Sequence, residues 1–260
     1  MTKPATLIYF SATDTTQKIV RAIGSGIASE YVEYNITLPK VREKVLSFDS
    51  DDLVVFAIPV YAGRLPSFLT TFLKKIRGNH TKAVFVVVYG NRNYDDALLE
   101  LKDSLEDNGF IGLATGAFIG EHSYTNQVGT GRPDKDDLNV AYEFGRVIKE
   151  KLISEPIGQE TKLHVKGQFP YKEITLVEPI APVTNEECTQ CKICASHCPV
   201  AAIDFNDCHK VDSSICVRCC SCIRKCPVNA KSMDHPFILQ LTERLIINCG
   251  TVRHEPELFL

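Results

Sequence analysis

The sequence lacks a long hydrophobic run. Its longest apolar stretch, residues 83–89, is far shorter than the roughly 20 residues that a membrane-spanning helix needs. The first residues also lack the charged segment and the apolar core of a secretory signal. We therefore expect a cytoplasmic protein that does not enter a membrane.

The sequence also lacks an excess of charge of either sign. Its 260 residues carry 29 Lys and Arg against 32 Asp and Glu, a formal net charge of −3. This balance argues against nucleic acid or an anionic membrane surface as the main partner. The length allows about two domains of roughly 150 residues each. A homodimer is compatible with this composition.

Short β-type runs alternate with helical stretches over residues 1–154. The central runs LVVFAI and AVFVVVY are continuously apolar and rich in Val, as expected of parallel strands that helices cover on both faces. We predict strands at residues 5–10, 32–37, 53–59, 82–89 and 111–119, and helices at 15–29, 66–76, 94–108 and 134–154. This is the α/β doubly wound class with a five-stranded parallel sheet, whose ligands bind outside the carboxyl ends of the strands.

Cysteine is concentrated at the other end of the chain. Ten of the eleven cysteines lie between Cys188 and Cys226. Disulfides are rare in a reducing cytoplasm, so a metal or redox role is the default explanation. We predict a second, small α+β domain over residues 183–260 that ends in a helix. A connector at residues 155–182, interrupted by Pro and Gly, joins it to the first domain.

Eight of these cysteines form two copies of one motif. Cys188-x2-Cys191-x2-Cys194-x3-Cys198-Pro recurs 28 residues later as Cys216-x2-Cys219-x2-Cys222-x3-Cys226-Pro. In this pattern three cysteines hold one cubane, and the fourth ligates the other cluster. It predicts two 4Fe-4S clusters, one on Cys188, Cys191, Cys194 and Cys226 and one on Cys216, Cys219, Cys222 and Cys198. Zinc sites also use C-x2-C pairs, but they do not need the third cysteine or the Cys-Pro.

The cysteine-rich region, about residues 184–235, resembles bacterial-type ferredoxins with two 4Fe-4S clusters. Cys208, Cys220 and Cys249 fall outside the motif, and we expect them to be small buried hydrophobic residues.

Three loops follow predicted strands at the edge where ligands bind. The first, Ser11-Ala-Thr-Asp-Thr-Thr16, precedes a helix, and its N–H and hydroxyl groups can bind a phosphate. Alone, such a segment is more often only an N-cap. The second loop spans residues 59–66 and the third residues 89–95. Together the three loops resemble those of a flavodoxin domain over about residues 4–150.

The resemblance implies that this domain binds FMN. It assigns the phosphate to the first loop, one edge of the flavin ring to the second loop and the other side of the ring to the third. The residues are Ser11, Thr13, Asp14, Thr15 and Thr16 in the first loop; Pro59, Val60, Tyr61, Ala62, Gly63 and Arg64 in the second; and Tyr89, Gly90, Asn91, Arg92, Tyr94 and Asp95 in the third. Tyr94 is expected to stack on the ring.

Asp14 stands where the flavodoxin pattern usually has Gly. We expect a left-handed backbone there, which Asp adopts more readily than most residues. We also expect its carboxylate to turn away from the phosphate, an orientation from which it could cap N–H groups of the first helix. Residues 121–133 form an unusually long loop for this fold, which either covers the flavin or contacts the cysteine-rich domain.

The whole chain resembles a flavodoxin domain fused to a two-cluster ferredoxin, a combination found in anaerobic bacteria and archaea. The resemblance implies a carrier that relays electrons between FMN, the clusters and external redox proteins such as a ferredoxin, a flavoprotein or a reductase. The alternative is an enzyme whose flavin reduces a quinone, a nitro compound or an enone. A third hypothesis is a scaffold without FMN, which the acidic Asp14 favours.

Overall fold

The computed structural model describes residues 3–154, 163–174 and 178–260. Part of the predicted connector, residues 155–162 and 175–177, lies outside the described residues. Within the described ranges, no helix is both long and apolar enough to cross a membrane.

The first 154 residues alternate strands and helices. In chain order these are β1 (Ala5–Tyr9), α1 (Thr15–Ile27), β2 (Tyr31–Asn35), β3 (Ser47–Phe48), β4 (Leu53–Pro59), α2 (Ser67–Leu73), β5 (Arg77–Gly78), β6 (Thr81–Tyr89), α3 (Ala97–Glu106), β7 (Phe110–Ile119) and α4 (Lys135–Ser154). Five strands pair in parallel in the order β7-β6-β4-β1-β2, and β3 pairs with β5 separately. The five predicted strands and the predicted fold class are confirmed.

Strand β4 shows why the central runs are continuously apolar. Val54, Phe56 and Ile58 pack into the core that α2 and α3 cover, and Val55 and Ala57 pack into the core that α1 and α4 cover. Successive side chains of a strand point to opposite faces, so a strand between two helical layers needs apolar residues at every position.

The cysteine-rich part has little regular structure. Its elements are β8 (Val183–Thr184), α5 (Ile193–Ser196), α6 (Ser221–Arg224), β9 (Lys231–Ser232), α7 (Pro236–Cys249) and β10 (Glu257–Phe259). Strands β8 and β9 pair antiparallel. Helix α7 confirms the predicted closing helix.

The end of the chain departs from the prediction. Strand β10 pairs antiparallel with β7 and becomes the sixth strand of the sheet. A segment assigned to the second domain therefore completes the sheet of the first. A strand of three residues is too short to show a hydrophobic periodicity. Its position at the edge of the sheet therefore follows only from its pairing with β7 and not from the sequence pattern.

Helices α1 and α4 cross very closely. A Cβ atom on Gly26 would lie 2.0 Å from the carbonyl oxygen of Tyr142, and one on Gly145 would lie 2.2 Å from that of Ile23. Gly24-Ser-Gly26 resembles the start of a dinucleotide fingerprint, but its position inside a helix excludes that role. Gly26 instead provides the space for the helix crossing.

The close crossing predicts that one added methyl group at Gly26 strongly destabilises the protein, whereas a substitution on the exposed side of the same helix does not. Gly26→Ala should lower the free energy of unfolding by about 3 kcal/mol, the upper range for overpacking, because the obstructing atoms are backbone atoms. Urea unfolding measures this. Ser25→Ala, on the exposed side of the same helix, is the control and should change stability by less than about 0.5 kcal/mol. Equal stability of both variants would contradict the crossing.

Candidate cofactor sites

Two cavities in the cysteine-rich part bring together both predicted ligand sets. Cys188, Cys191, Cys194 and Cys226 line the first cavity, and Cys198, Cys216, Cys219 and Cys222 line the second. The last cysteine of each motif thus crosses to the cavity of the other motif. All of these cysteines are free thiols.

The backbone repeats around the two cavities in the same way as the sequence. Left-handed residues in and just after the first motif recur 28 positions later at the second, as the pairs Gln190 and Arg218, Lys192 and Cys220, and Ala201 and Asn229. After each crossing cysteine, a backbone N–H donates to its Sγ at 3.2 Å, from Ala202 to Cys198 and from Ala230 to Cys226. The left-handed turns curl the chain so that three consecutive motif cysteines face one cavity.

The buried thiols resist ionisation unless positive charge binds to them. Burial raises the pKa of Cys219 and of Cys222 to about 12 and that of Cys194 to about 11. A coordinated metal deprotonates such thiols outright. The four motif cysteines at each cavity are the donor set of a 4Fe-4S cluster, so the residues fit this group.

The three cysteines outside the motif are buried, as predicted. Cys208 is 1% exposed, Cys220 is 2% exposed and Cys249 is 9% exposed. Two of them have positions that the sequence does not reveal: Cys208 lines the first cavity as a fifth cysteine, and Cys220 lines the second cavity as a fifth cysteine.

The first loop of the sheet domain has the donors for a phosphate. Asp14 has φ of 66°, which confirms the left-handed backbone. The Ser11 hydroxyl accepts the N–H of Gln17 at 3.1 Å and so fastens the loop to α1. In the part of the chain that the structure describes, the N–H groups of residues 12–16 have no acceptor. Free N–H groups at a helix start can bind an anion.

The side chain of Asp14 does not cap α1, although an outward orientation would have allowed it. Its Oδ2 instead lies 2.6 Å from Nζ of Lys225, which directly precedes Cys226. The ion pair joins the phosphate loop to the second cysteine motif. The partners are 211 positions apart, so no local pattern could reveal the pair.

The second loop forms a tight turn. Tyr61 and Arg64 exchange backbone hydrogen bonds of 2.9 and 3.0 Å, and Ala62 and Gly63 between them have φ of 53° and 85°. Two positive φ values are typical of a type I′ hairpin turn. The half-buried ring of Tyr61 packs edge-on against Phe10, in the same apolar cluster as Cys219 of the second cavity. The side chain of Arg64 pairs with Glu100.

The third loop differs most from the prediction. Tyr94 is 4% exposed, its ring packs against that of Tyr89, and its hydroxyl donates to Glu257 at 2.8 Å. Asn91 is also buried, and its Nδ2 donates to the carbonyl oxygens of Cys249 and Val252. The stacking role of Tyr94 is therefore wrong. Both side chains hold the C-terminal segment, whose return the sequence does not show.

Sequence reasoning missed the residues that join the two parts. Arg224 lies 2.6 Å from Oε1 of Glu121 and donates to the carbonyl oxygen of His122 at 2.7 Å. The long loop at residues 121–133 thus contacts the cysteine-rich part, one of its two expected roles. The adjacent cations Arg224 and Lys225, inside a cysteine motif, are the only signal that could have indicated a docking contact.

His122 lies between this contact and the third loop. A Cβ atom on Gly90 would lie 2.6 Å from Cδ2 of His122, and Nδ1 of His122 accepts the N–H of Tyr124 at 3.2 Å. Burial, and then the positive charges of Arg224 and Arg92, lower the pKa of His122 to about 4. His122 is therefore neutral at pH 7.

Two family models match the chain. The family described as "Flavodoxin domain" matches residues 6–122, and the family described as "4Fe-4S binding domain" matches residues 181–204, which include the first cysteine motif. No curated protein matches the sequence.

Solved structures resemble part of the chain. A flavodoxin from the domain Archaea is 15% identical over 57% of this chain and 98% of its own length, with a TM-score of 0.39. Flavodoxin 2 from Bacillus cereus is 15% identical over 57% of this chain and 99% of its own length, with a TM-score of 0.43. A flavodiiron core from Synechocystis is 19% identical over 57% of this chain and 36% of its own length, with a TM-score of 0.43.

The pKa of His122 predicts a pH dependence of stability. The unfolded chain protonates this histidine below about pH 6.5, whereas the folded protein keeps it neutral to about pH 4. Its contribution is complete above pH 6.5 and falls by about 1.4 kcal/mol per pH unit below it. Urea unfolding at pH 7.5 and 5.5 should show this loss in the wild type and not in His122→Asn. The exposed His209→Asn is the control and should retain the loss; a pH-dependent His122→Asn would contradict the assignment.

Proposed function

Because the chain carries a flavodoxin domain followed by a 4Fe-4S binding domain, we propose that it is an electron-transfer protein. It binds one FMN and two 4Fe-4S clusters and exchanges electrons with external redox proteins. FMN supplies one- and two-electron chemistry when bound, and each cluster supplies one-electron chemistry.

The observation that carries the proposal is the composition of the two cavities. Each contains three cysteines of one motif and the crossing cysteine of the other. This exchange is the signature of two clusters in bacterial-type ferredoxins. The second cluster is part of the proposal, since the matched 4Fe-4S family segment ends at residue 204, before the second motif.

The first loop supports a phosphate-bearing flavin. Free N–H groups at residues 12–16 face no competing acceptor among the described residues, and Lys225 balances the charge of Asp14. Tyr61 replaces Tyr94 as the aromatic residue that we assign to the flavin ring, because Tyr61 is half-buried at this edge and Tyr94 lies in the core. The ion pairs of Lys225 and Arg224 keep the second cavity next to the carboxyl edge of the sheet.

The first cavity suits an external partner. Cys191 in its wall is exposed, whereas Cys219, its equivalent in the second motif, packs against the core of the sheet domain. The exposed Phe205 and Lys192 lie beside it, with Nζ of Lys192 4.9 Å from the ring centroid. We assign the docking of a redox protein to this surface, and intramolecular transfer to the second cavity.

The enzyme alternative has less support. A flavoenzyme needs a group that can deliver a proton near the ring at its working pH. His122 lies beside the third loop, and with a pKa of about 4 it is not in the imidazolium form, which delivers a proton, at pH 7. Sustained, saturable reduction of quinones, nitro compounds or enones by the purified protein would overturn the carrier function.

Cofactor content tests the proposal directly. Anaerobically purified protein should contain about eight irons, as expected for two cubanes, and one FMN per chain. Cys188→Ser and Cys216→Ser should each lose about half of the iron, because each removes a ligand of one cavity. Cys249→Ser is the matched control, since this buried cysteine lines neither cavity, and it should retain all of the iron. Iron without flavin would contradict the relay.

The ion pair of Asp14 gives a second test. Asp14→Asn should change the dissociation constant of FMN by less than about threefold, because Lys225 already balances the carboxylate and half of the Asp14 side chain is exposed to solvent. Lys225→Met should weaken FMN binding more, since it leaves that carboxylate unbalanced near the phosphate. Fluorescence titration of flavin-free protein measures both. A large gain for Asp14→Asn would show that the carboxylate faces the phosphate.

A further inference from the structure

Lys231 is a buried cation in the wall of the first cavity. It begins β9, follows Cys226 by five positions and is 4% exposed. Its Nζ donates to Oγ1 of Thr184 at 2.5 Å and to the carbonyl oxygen of Cys208 at 2.8 Å. Both acceptors are neutral oxygens.

These two contacts leave the ammonium group incompletely satisfied. It has three N–H donors and a full positive charge, and within residues 3–154, 163–174 and 178–260 only two of these donors have partners. Among the described residues, no carboxylate lies within 4.0 Å of Nζ of Lys231. A buried cation is costly unless an anion accompanies it. The cavity beside it, lined by cysteines, is the place for that anion.

The internal repeat provides a comparison within the molecule. The position equivalent to Lys231, 28 residues earlier, is Ile203, which is 6% exposed and lines the second cavity. The preceding residues, Ala230 and Ala202, make equal N–H contacts of 3.2 Å to the crossing cysteines. The two walls therefore match in backbone and differ at this position by a full charge.

Other cations near the cavities are less enclosed. Lys192 at the first cavity is exposed, and Arg218 at the second is half-buried. Solvent and salt screen exposed charges far more than buried ones. Of Lys192, Arg218 and Lys231, which line the two cavities, Lys231 is the most deeply buried.

We propose that Lys231 is the buried counter-charge of the 4Fe-4S cluster in the first cavity and that it raises the reduction potential of this cluster. The inference rests on the proposed function. A cluster gains one negative charge when it accepts one electron, so a fixed cation stabilises the reduced form more than the oxidised form. The charge of the site is one of the factors that set cluster potentials.

Redox titration of the intact protein tests the inference. Wild type, Lys231→Met, Lys231→Arg and Ile203→Met are purified anaerobically, assayed for iron, and titrated with dithionite as the electron donor while electron paramagnetic resonance follows each cluster. Lys231→Met should lower the reduction equilibrium constant of one cluster at least tenfold, which is about 59 mV for a one-electron couple. The other cluster should shift less. Lys231→Arg, which keeps the charge, and Ile203→Met, at the matched position, should stay near the wild type.

The outcomes separate the inference from the function on which it rests. Wild-type protein without eight irons would overturn both. Wild-type protein with eight irons, and unchanged potentials in a fully loaded Lys231→Met, would overturn the inference alone. If Lys231→Met does not fold, Lys231→Gln tests the inference instead, since this variant keeps a hydrogen-bond donor but lacks the positive charge. Wild-type potentials in a loaded Lys231→Gln would overturn the inference, and a selective loss of the first cluster in it, with Lys231→Arg intact, would support it.

Discussion

Two neighbouring cations of the second cysteine motif hold the iron-sulfur part against the carboxyl edge of the sheet. Lys225 pairs with Asp14 in the first loop, and Arg224 pairs with Glu121 in the long loop after β7. An exposed ion pair contributes at most about 1 kcal/mol, so neither pair would suffice alone. Cys219, which packs into the core of the sheet domain, adds apolar burial to the same contact. The closeness of the second cavity to the proposed flavin site depends on this combination.

The internal repeat is nearly symmetric in backbone but not in surroundings. Its second half packs against the sheet domain, whereas its first half exposes Cys191. Lys231 in one wall and Ile203 in the other add a difference in charge. The two cavities therefore differ in exposure and in charge, although their backbones match.

The C-terminal segment explains why Tyr94 and Asn91 of the third loop are not free to make the contact with a flavin ring that the sequence predicted. Tyr94 donates to Glu257 in β10, Asn91 donates to the end of α7, and Arg132, buried beside Asp137, donates to the carbonyl oxygen of His254. The segment returns from the iron-sulfur part to the sheet. The C-terminal segment therefore adds a strand to the sheet of the first part. The loops of the sheet domain contact this segment as well as forming the proposed ligand site.

Local pattern determined most of the fold and the metal site. Apolar runs such as LVVFAI specify buried strands because both faces must be apolar. The spacing of the eight motif cysteines specifies which four thiols can reach one cubane. Asp14 likewise adopts the backbone expected at a position that usually holds Gly. Only the tertiary structure decided that Tyr94 is a core residue, that Lys225 pairs with Asp14 and that β10 joins the sheet. Each of these contacts joins residues more than 100 positions apart, and a pattern of neighbouring residues carries no record of such partners.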